Sequence, residues 1–257
     1  MIVTGRLAPC LTTFADDGFD PQRPCDVSVV MPTVVRKTIT DALQSVFRQD
    51  LDGRIQVLIG IDRPAGDIGL IEEACRERPS HCCVQVFYPG YSTSVRNGGL
   101  HAAGDGGVLR CVLTYLANSR HVAYLDDDNW WAENHLSSMR ATIEGHDWAF
   151  SLRWFVHPDT RRQICIDRWE SVGPDKGVFR QGFGGWVDPN CLMFDKLACE
   201  GSSACGPCRR RVALRPWRRT GKSSAFCGKI DVGGRRTRRR STISSTHTIS
   251  ITNGGYR

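Results

Sequence analysis

The segment His121-Val122-Ala123-Tyr124-Leu125-Asp126-Asp127-Asp128 changes abruptly from an apolar run to three adjacent carboxylates. The apolar part predicts a buried strand. Successive side chains of an extended chain point to opposite faces, so we expect Asp126 and Asp128 on one face and Asp127 on the other. Two carboxylates on one face at a strand end suit a hard divalent cation. The alternative is an acidic turn in which Asp128 and Asn129 cap the following helix.

Three apolar runs precede this segment and alternate with amphipathic helical patterns. The expected strands are 26–33, 55–62 and 84–87, and the expected helices are 38–49, 67–78 and 108–117. The order β-α-β-α-β-α-β predicts a parallel sheet with right-handed crossovers. Ligands bind beyond the carboxyl ends of such strands. Thr33, Asp62 and Asp126 all stand at such ends, so we expect them to converge on one crevice.

The chain after the carboxylates is expected to form a second half of the same domain. A helix is predicted at 132–144 and strands at 148–156 and 163–167. The segment 179–190 is rich in glycine and aromatic residues, and an apolar run follows it at 191–194. The expected organisation is an N-terminal extension at 1–25, one domain at 26–199 and a separate tail at 200–257.

The body and the tail differ in charge. Residues 201–257 contain 12 Arg and 2 Lys against a single acid, Asp231, whereas the other 200 residues carry a net charge of −6. The tail has no apolar periodicity, so we expect it to be disordered or poorly packed. Two explanations stay open. The first is a shifted reading frame, because an out-of-frame GC-rich message tends to encode abundant Arg, Ser, Gly, Cys and Thr without an apolar period. The second is a genuine basic tail, which would bind nucleic acid or an anionic surface.

The composition of the 257 residues is ordinary for a globular protein, with 40% hydrophobic and 24% charged residues. The first residues lack the pattern of a secretory signal, and no apolar run reaches the length of a membrane span. A cytoplasmic location is therefore expected, with peripheral attachment at the inner membrane face left open. With this location the 12 cysteines are not expected to form a disulfide framework.

Two further segments carry candidate binding residues. Asp62 could accept a hydrogen bond from a base or a ribose, or it could be a solvated turn residue before Arg63-Pro64. In the segment 94–103, Arg96 could hold a base carbonyl or a phosphate, and Asn97-Gly98 permits a close backbone approach. The alternative for this segment is a flexible glycine-rich loop.

Together these residues resemble a family 2 glycosyltransferase of the GT-A fold, within the nucleotide-diphospho-sugar transferase superfamily. The resemblance begins with the strand Val27-Ser28-Val29-Val30-Met31-Pro32-Thr33 and the helix 41–49 after it. It continues through strand 55–62, Arg96-Asn97-x-Gly99 and the D-x-D strand, and it covers about residues 26–195. The chain departs from the family pattern after Cys199.

The resemblance implies a metal-dependent transfer of a sugar from a UDP- or GDP-type donor to an acceptor hydroxyl, with Mg²⁺ or Mn²⁺. The acceptor would be a carbohydrate, a lipid or a protein. The chain itself is expected to have no membrane span, and nucleic acid is the less favoured partner. The implied donor contacts are Thr33, Asp62, Arg96 and Asp126, of which Asp126 would lie near the ribose. Asp126 and Asp128 would be the metal ligands.

The family's catalytic base is an Asp or a Glu in the acceptor half, and Asp188 is the best match in this sequence. It follows Gly182-x-Gly184-Gly185-Trp186, and Trp186 would stack on a sugar ring. The alternative is a β-turn with Asp188-Pro189 as turn residues.

Two other functions stay open: a non-catalytic nucleotide-sugar-binding remnant with a truncated acceptor side, and a basic-tailed nucleic-acid-binding protein. The first would bind a nucleotide with metal but would transfer nothing. The second would bind nucleic acid through residues 201–257 alone, in a salt-sensitive manner.

Overall fold

The computed structural model describes residues 11–63, 66–102, 106–157, 159–199, 242–243 and 250–252. Most of the predicted tail and the first ten residues of the N-terminal extension lie outside these residues. The strands are β1 Leu11–Phe14, β2 Cys25–Thr33, β3 Ile55–Ile61, β4 Cys82–Phe87, β5 Ser119–Tyr124, β6 Asn129–Trp131, β7 Trp148–Phe150, β8 Arg153–Val156, β9 Gln163–Ile166, β10 Gly173–Pro174, β11 Gly185–Trp186, β12 Leu192–Asp195, β13 Thr242–Ile243 and β14 Ser250–Thr252. The helices are α1 Ile39–Phe47, α2 Gly69–Arg76, α3 Gly107–Leu116, α4 His135–Ile143, α5 Arg180–Phe183 and α6 Lys196–Cys199, with 3-10 turns at Val95–Asn97 and Pro189–Cys191.

The central sheet has eight strands in the order β1-β4-β3-β2-β5-β12-β7-β13. Its middle part, β4-β3-β2-β5, is entirely parallel. β12 pairs antiparallel with both β5 and β7. The prediction of an α/β fold with a mostly parallel sheet flanked by helices is confirmed.

Both faces of the parallel strands are buried, which explains their nearly continuous apolar sequence. Alternate side chains of β2, β3 and β4 pack with α1, α2 and α4 in the larger core. The opposite face packs against α3, with Val30, Leu58 and Leu113 in a smaller core. α3 packs very closely on this face at Gly60. A Cβ atom on Gly60 would lie only 2.8 Å from a methyl carbon of Leu113.

Three details differ from the sequence-based expectations. Leu11–Phe14, for which only an N-terminal extension was expected, forms an edge strand antiparallel to β4. The strand predicted at 148–156 divides at Ser151, so that β7 joins the central sheet and β8 joins a second sheet. Two short tail segments, β13 and β14, are also paired with sheet strands.

The second sheet has the order β6-β14-β8-β9. β14 runs antiparallel to β6 and parallel to β8. This sheet therefore continues from the acidic segment through β6 and carries Arg153 at the start of β8. None of the helices in the described part of the chain has the length and apolar character needed to span a bilayer.

Candidate functional site

A crevice is expected where the strand order reverses at the carboxyl edge of the sheet. From β2 the chain proceeds outward to β3 and β4, and then returns to place β5 on the other side of β2. The carboxyl ends of β2 and β5 are thus neighbours with their connections leaving in opposite directions. Thr33 ends β2, and Asp126 follows β5 by two residues.

The acidic segment after β5 is a turn and not an extended chain. The N–H of Asn129 donates to the carbonyl of Asp126 at 3.1 Å, which closes the turn. The expectation of alternating faces on an extended chain is therefore wrong, although the three carboxylates do have different surroundings. The helix-capping alternative is wrong too, because β6 follows directly and α4 begins only at His135.

Asp127 is the buried anchor of this turn, with only 2% of its surface exposed. It accepts a hydrogen bond from the hydroxyl of Thr33 at 2.5 Å and one from the guanidinium of Arg36 at 2.6 Å. The hydroxyl of Thr33 also accepts from the N–H of Val35 at 2.7 Å. Thr33, predicted as a nucleoside contact, thus joins the end of β2 to the turn after β5.

Asp128 is more accessible, with 36% of its side chain exposed. Arg36 donates to it at 2.8 Å, and the side-chain amide of Asn129 donates to its other oxygen at 2.9 Å. The pKa of Asp128 is raised to about 6. Burial is the largest cause; Arg36 lowers the pKa, and the neighbouring carboxylates Asp126 and Asp127 raise it. Asp128 is therefore a crowded carboxylate at the surface of the crevice.

Asp126 is held from two sides. The buried guanidinium of Arg110, on α3, donates to one of its oxygens. The side-chain amide of Asn190 donates to the other at 3.2 Å, and the oxygen of that amide accepts the N–H of Asp126 at 2.6 Å. Burial alone would lower the pKa of Arg110, but the contact with Asp126 outweighs it, so the pKa of Arg110 is raised.

Asp62 holds the loop at 92–101 in place. Its carboxylate accepts from the hydroxyl of Ser92 at 2.6 Å and from the N–H and hydroxyl of Thr93 at 2.7 and 2.8 Å. Burial would raise the pKa of Asp62, but these hydrogen bonds outweigh it and leave the pKa below its usual value. The residue is 8% exposed, so the alternative of a solvated turn is wrong.

The loop at 92–101 is folded back on itself. The N–H of His101 donates to the carbonyl of Thr93 at 3.0 Å, and that of Gly99 donates to the carbonyl of Ser94 at 2.8 Å. A Cβ atom on Gly99 would lie 2.4 Å from the carbonyl oxygen of Ser92, so only glycine fits there. Arg96 lies at an exposed position of the 3-10 turn in this loop. The hydrogen bonds within the loop argue against the alternative of a flexible glycine-rich loop.

In the half of the domain that follows the acidic segment, a buried arginine joins three carboxylates. Arg153 donates to Asp167 at 2.9 Å, to Glu170 at 2.6 Å and to Asp188. Its guanidinium also lies 5.1 Å from the ring centre of Trp186. Burial would lower the pKa of Arg153, but the contacts with Asp188 and Asp167 outweigh it, so the pKa is raised.

Asp188, the predicted base, is 5% exposed and both of its oxygens are hydrogen bonded. One accepts from Arg153, and the other accepts from the N–H and the side-chain amide of Asn190 at 2.9 and 2.8 Å. Asp188 also stands as the N-cap of the 3-10 turn Pro189–Cys191. These contacts agree with the alternative of a turn residue, and the catalytic assignment stays a prediction.

The sequence analysis missed several residues of this network. Arg36, Arg110, Arg153, Asp167, Glu170 and Asn190 all contact the predicted site residues or one another. Asp167 directly follows a strand, as Asp62 does, and this signal could have indicated it. The arginines gave no such signal. The hydrophobic pattern of the helix, strand or loop that contains each arginine does not show which distant carboxylate pairs with it.

The ligands predicted for a cation are Asp126 and Asp128. Among the described residues, no three His, Cys, Asp or Glu side chains converge in a way that could hold a metal ion by themselves. Mg²⁺ commonly takes one or two carboxylates and completes its shell with water and substrate phosphates. Asp126 and Asp128 are partly exposed and lie in one turn, so they fit this requirement provided that a diphosphate supplies further oxygens. Each of their carboxylate oxygens already accepts a hydrogen bond, so a cation would share these oxygens with their present donors.

The fold and the site define an α/β protein with a network of charged side chains at the switch point of its parallel sheet. No protein-family model and no curated protein matches the chain. Similar solved structures include S. aureus TarS 1-349 in complex with UDP, with 17% identity and a TM-score of 0.47 over 66% of this chain and 47% of that chain. They also include TarS 1-349 in complex with UDP-GlcNAc, with 17% identity and a TM-score of 0.47 over 66% of this chain and 45% of that chain. This chain thus spans about half the length of those chains, and similarity at this level does not identify a substrate or a reaction.

Proposed function

We propose that this chain is a glycosyltransferase of GT-A type that binds a nucleoside diphosphate sugar with a divalent cation and transfers the sugar to an acceptor hydroxyl. The observation that carries the proposal is the hydrogen bond of 2.5 Å between Thr33 and Asp127. It joins the carboxyl ends of β2 and β5 at the switch point, where open parallel sheets bind ligands. The sequence resemblance to family 2 glycosyltransferases supports the same function.

The proposed donor site has a nucleoside side and a diphosphate side. Asp62 fixes the loop at 92–101 beside the end of β3, and Arg96 on that loop would contact the base or the diphosphate. Asp126 and Asp128 on the opposite side would face the diphosphate. In this arrangement Thr33 and Asp62 act mainly by holding the crevice in shape, since their polar atoms are engaged within the protein.

The charge of the network explains why a cation would be needed. Its three arginines, Arg36, Arg110 and Arg153, face six carboxylates. A diphosphate would be repelled by such an excess of negative charge unless a cation bound with it. The ion would be Mg²⁺ or Mn²⁺, held by Asp128 and Asp126, and it would neutralise charge on the leaving diphosphate.

A second candidate function is nucleotide-sugar binding without transfer. The observation that favours it is the engagement of Asp188, whose oxygens are occupied by Arg153 and Asn190. To act as a base, this carboxylate would have to release one of these partners. The nucleic-acid-binding alternative depends on residues 201–241 and other tail residues outside the described part of the chain.

The two functions are separated by measuring binding and turnover on the same protein. Calorimetry with UDP and GDP, in Mn²⁺ or Mg²⁺ and then in EDTA, measures the donor site. Hydrolysis and transfer assays with a panel of UDP- and GDP-sugars measure the chemistry. Cation-dependent binding with turnover supports the transferase, and binding without turnover supports the second candidate. Failure to bind any nucleoside diphosphate would contradict both.

A further inference from the structure

The side-chain amide of Asn190 lies between a donor-side carboxylate and an acceptor-side carboxylate. Its nitrogen donates to Asp126 at 3.2 Å and to Asp188 at 2.8 Å. Its oxygen accepts the N–H of Asp126 at 2.6 Å. Asn190 is 3% exposed, so its amide is buried, whereas the Asp126 side chain that it contacts is 28% exposed. One buried side chain therefore contacts both halves of the proposed site.

Only an amide of this size satisfies all three contacts. Two carboxylates require a donor with two hydrogens, and the N–H of Asp126 requires an acceptor on the same side chain. These requirements also fix the orientation of the amide, since the reversed orientation would place its oxygen against two carboxylates. Aspartate would lack the donors, and leucine would leave three buried polar groups without this partner.

The backbone around Asn190 is held firmly in this position. Asp188 caps the 3-10 turn that contains Asn190, and β12 begins directly after that turn and pairs with β5. The indole N–H of Trp131 donates to the carbonyl of Asn190 at 2.8 Å. None of these three contacts involves the side chain of Asn190, so the turn has support that remains when the amide is removed.

Each of the two carboxylates has an arginine on its far side. Arg110 contacts Asp126, and Arg153 contacts Asp188. The order arginine, carboxylate, amide, carboxylate, arginine keeps two negative charges close together without direct contact. Removing the amide would leave the two carboxylates facing each other across a gap, and each would be drawn towards its own arginine.

We propose that Asn190 is a positioning residue that fixes the donor-side Asp126 relative to the acceptor-side Asp188 through its shared side-chain amide. This inference rests on the proposed function, in which Asp126 faces the diphosphate. Asn190 acts through Asp126 and does not itself contact the substrate.

The test compares Asn190→Leu with Gln49→Leu in the full chain. Gln49 is also buried, and its side chain also makes three hydrogen bonds, to Ser45, Ala132 and Leu136, none of which belongs to the proposed site. Each variant is examined by thermal unfolding and by calorimetric titration with UDP in Mn²⁺. Both variants should lose stability, but only Asn190→Leu should weaken UDP binding, by about 10- to 100-fold, as is typical for residues that orient a ligand group.

UDP affinity of Asn190→Leu within twofold of wild type, or an equal loss in Gln49→Leu, would overturn the inference. If Asn190→Leu does not fold, Asn190→Asp replaces it, with the same expected loss because the donor to both carboxylates is removed. If the wild-type protein binds no nucleoside diphosphate, the proposed function fails and the inference that depends on it fails too.

A second measurement needs no ligand and separates the positioning contact from the proposed function. The stabilities of Asp126→Asn, Asp188→Asn and their double variant are compared by denaturant unfolding, with Asn190 present and then with Asn190→Leu. We expect the two aspartate changes to be non-additive with Asn190 present, and we expect their coupling energy to change when the amide is removed, because direct repulsion between the carboxylates then replaces the shared hydrogen bonds. Additivity with Asn190 present would show that the amide does not connect the two carboxylates.

Discussion

The two sides of the crevice are built in different ways. The donor side stands at the ends of long parallel strands, where Thr33, Asp62 and Asp126 are brought together by the topology of the sheet. The acceptor side stands on the short strands β8 and β9 and on a 3-10 turn, and it is held together by Arg153 and its carboxylates. The donor side thus stands on the hydrophobic core beneath it and adds one buried guanidinium, that of Arg110, whereas on the acceptor side a single buried arginine holds three carboxylates.

The largest effect is expected from removing the central charge of the acceptor side. Arg153→Leu leaves Asp167 and Asp188 buried without their cation, since the side chain of Arg153 is only 7% exposed. We expect a loss of about 3–5 kcal/mol in the free energy of unfolding. Denaturant unfolding at neutral pH measures it.

The matched control on the donor side is Arg36→Leu. Arg36 also pairs with two carboxylates, but 51% of its side chain is exposed. Its loss should cost no more than about 1 kcal/mol, because solvent screens the pair and Thr33 still donates to Asp127. Equal losses in the two variants would contradict the distinction between the two sides.

A smaller effect is expected from Asp62→Asn on the donor side. The substitution keeps the shape of the side chain but replaces one acceptor oxygen by a donor that faces the donors of Ser92 and Thr93. The loop at 92–101 should lose about 1.5–3 kcal/mol of local stability, the usual range for hydrogen bonds to a charged group. Hydrogen exchange at the amides of Thr93 and His101 should accelerate while β2 and β3 stay protected. Acceleration throughout the sheet would show that Asp62 supports the whole fold and not this loop.

The smallest effect near neutral pH is expected from the protonation of His135, which lies outside both charge networks. It is fully buried and stacks on Trp131 with ring centres 4.3 Å apart, and within the described part of the chain neither ring nitrogen has a hydrogen-bond partner. Burial lowers the pKa of His135 to about 3 from its ordinary value of 6.5. The unfolded chain therefore takes up a proton below pH 6.5 that the folded protein does not, so stability falls as the pH falls.

His135→Phe keeps an aromatic ring beside Trp131 and removes this proton uptake. The difference in unfolding free energy between the variant and the wild type should grow by about 1.4 kcal/mol for each unit of pH between 6 and 4. Other titrating groups are common to both proteins and cancel in the difference. A difference that does not change with pH would mean that His135 gains a partner or solvent in the folded protein.

The sequence predicted the donor side well because its elements follow regular patterns. The apolar strands 26–33 and 55–62 and the helix between them were visible from periodicity. Thr33, Asp62 and Asp126 were expected from the ends of strands, and their binding roles stay predictions. The geometry after β5 was predicted incorrectly, because the bond from Asn129 to Asp126 closes a turn that an apolar run followed by acids does not reveal.

The acceptor side could be predicted only in part. The sequence indicated Asp188 and left open whether it was a base or a turn residue, but it did not indicate Arg153, which begins a strand that the apolar pattern merged with β7. The role of Asn190 depends on three long-range or turn contacts at once, and none of them has a sequence pattern. Topology is readable from periodicity, whereas the pairing of buried charges requires the folded structure.

The central claim is that Asp128 holds a cation against a diphosphate, and the comparison of wild type with Asp128→Asn tests it most directly. Because burial and neighbouring carboxylates raise the pKa of Asp128 to about 6, its charge at pH 7 opposes folding, and the variant should be at least as stable as the wild type. UDP binding is then measured by calorimetry in Mn²⁺ and in EDTA. We expect the wild type to bind at least about 10-fold more tightly with Mn²⁺ and the variant to bind equally weakly in both. A variant that keeps the full effect of Mn²⁺ would contradict the assignment of the donor site to this turn.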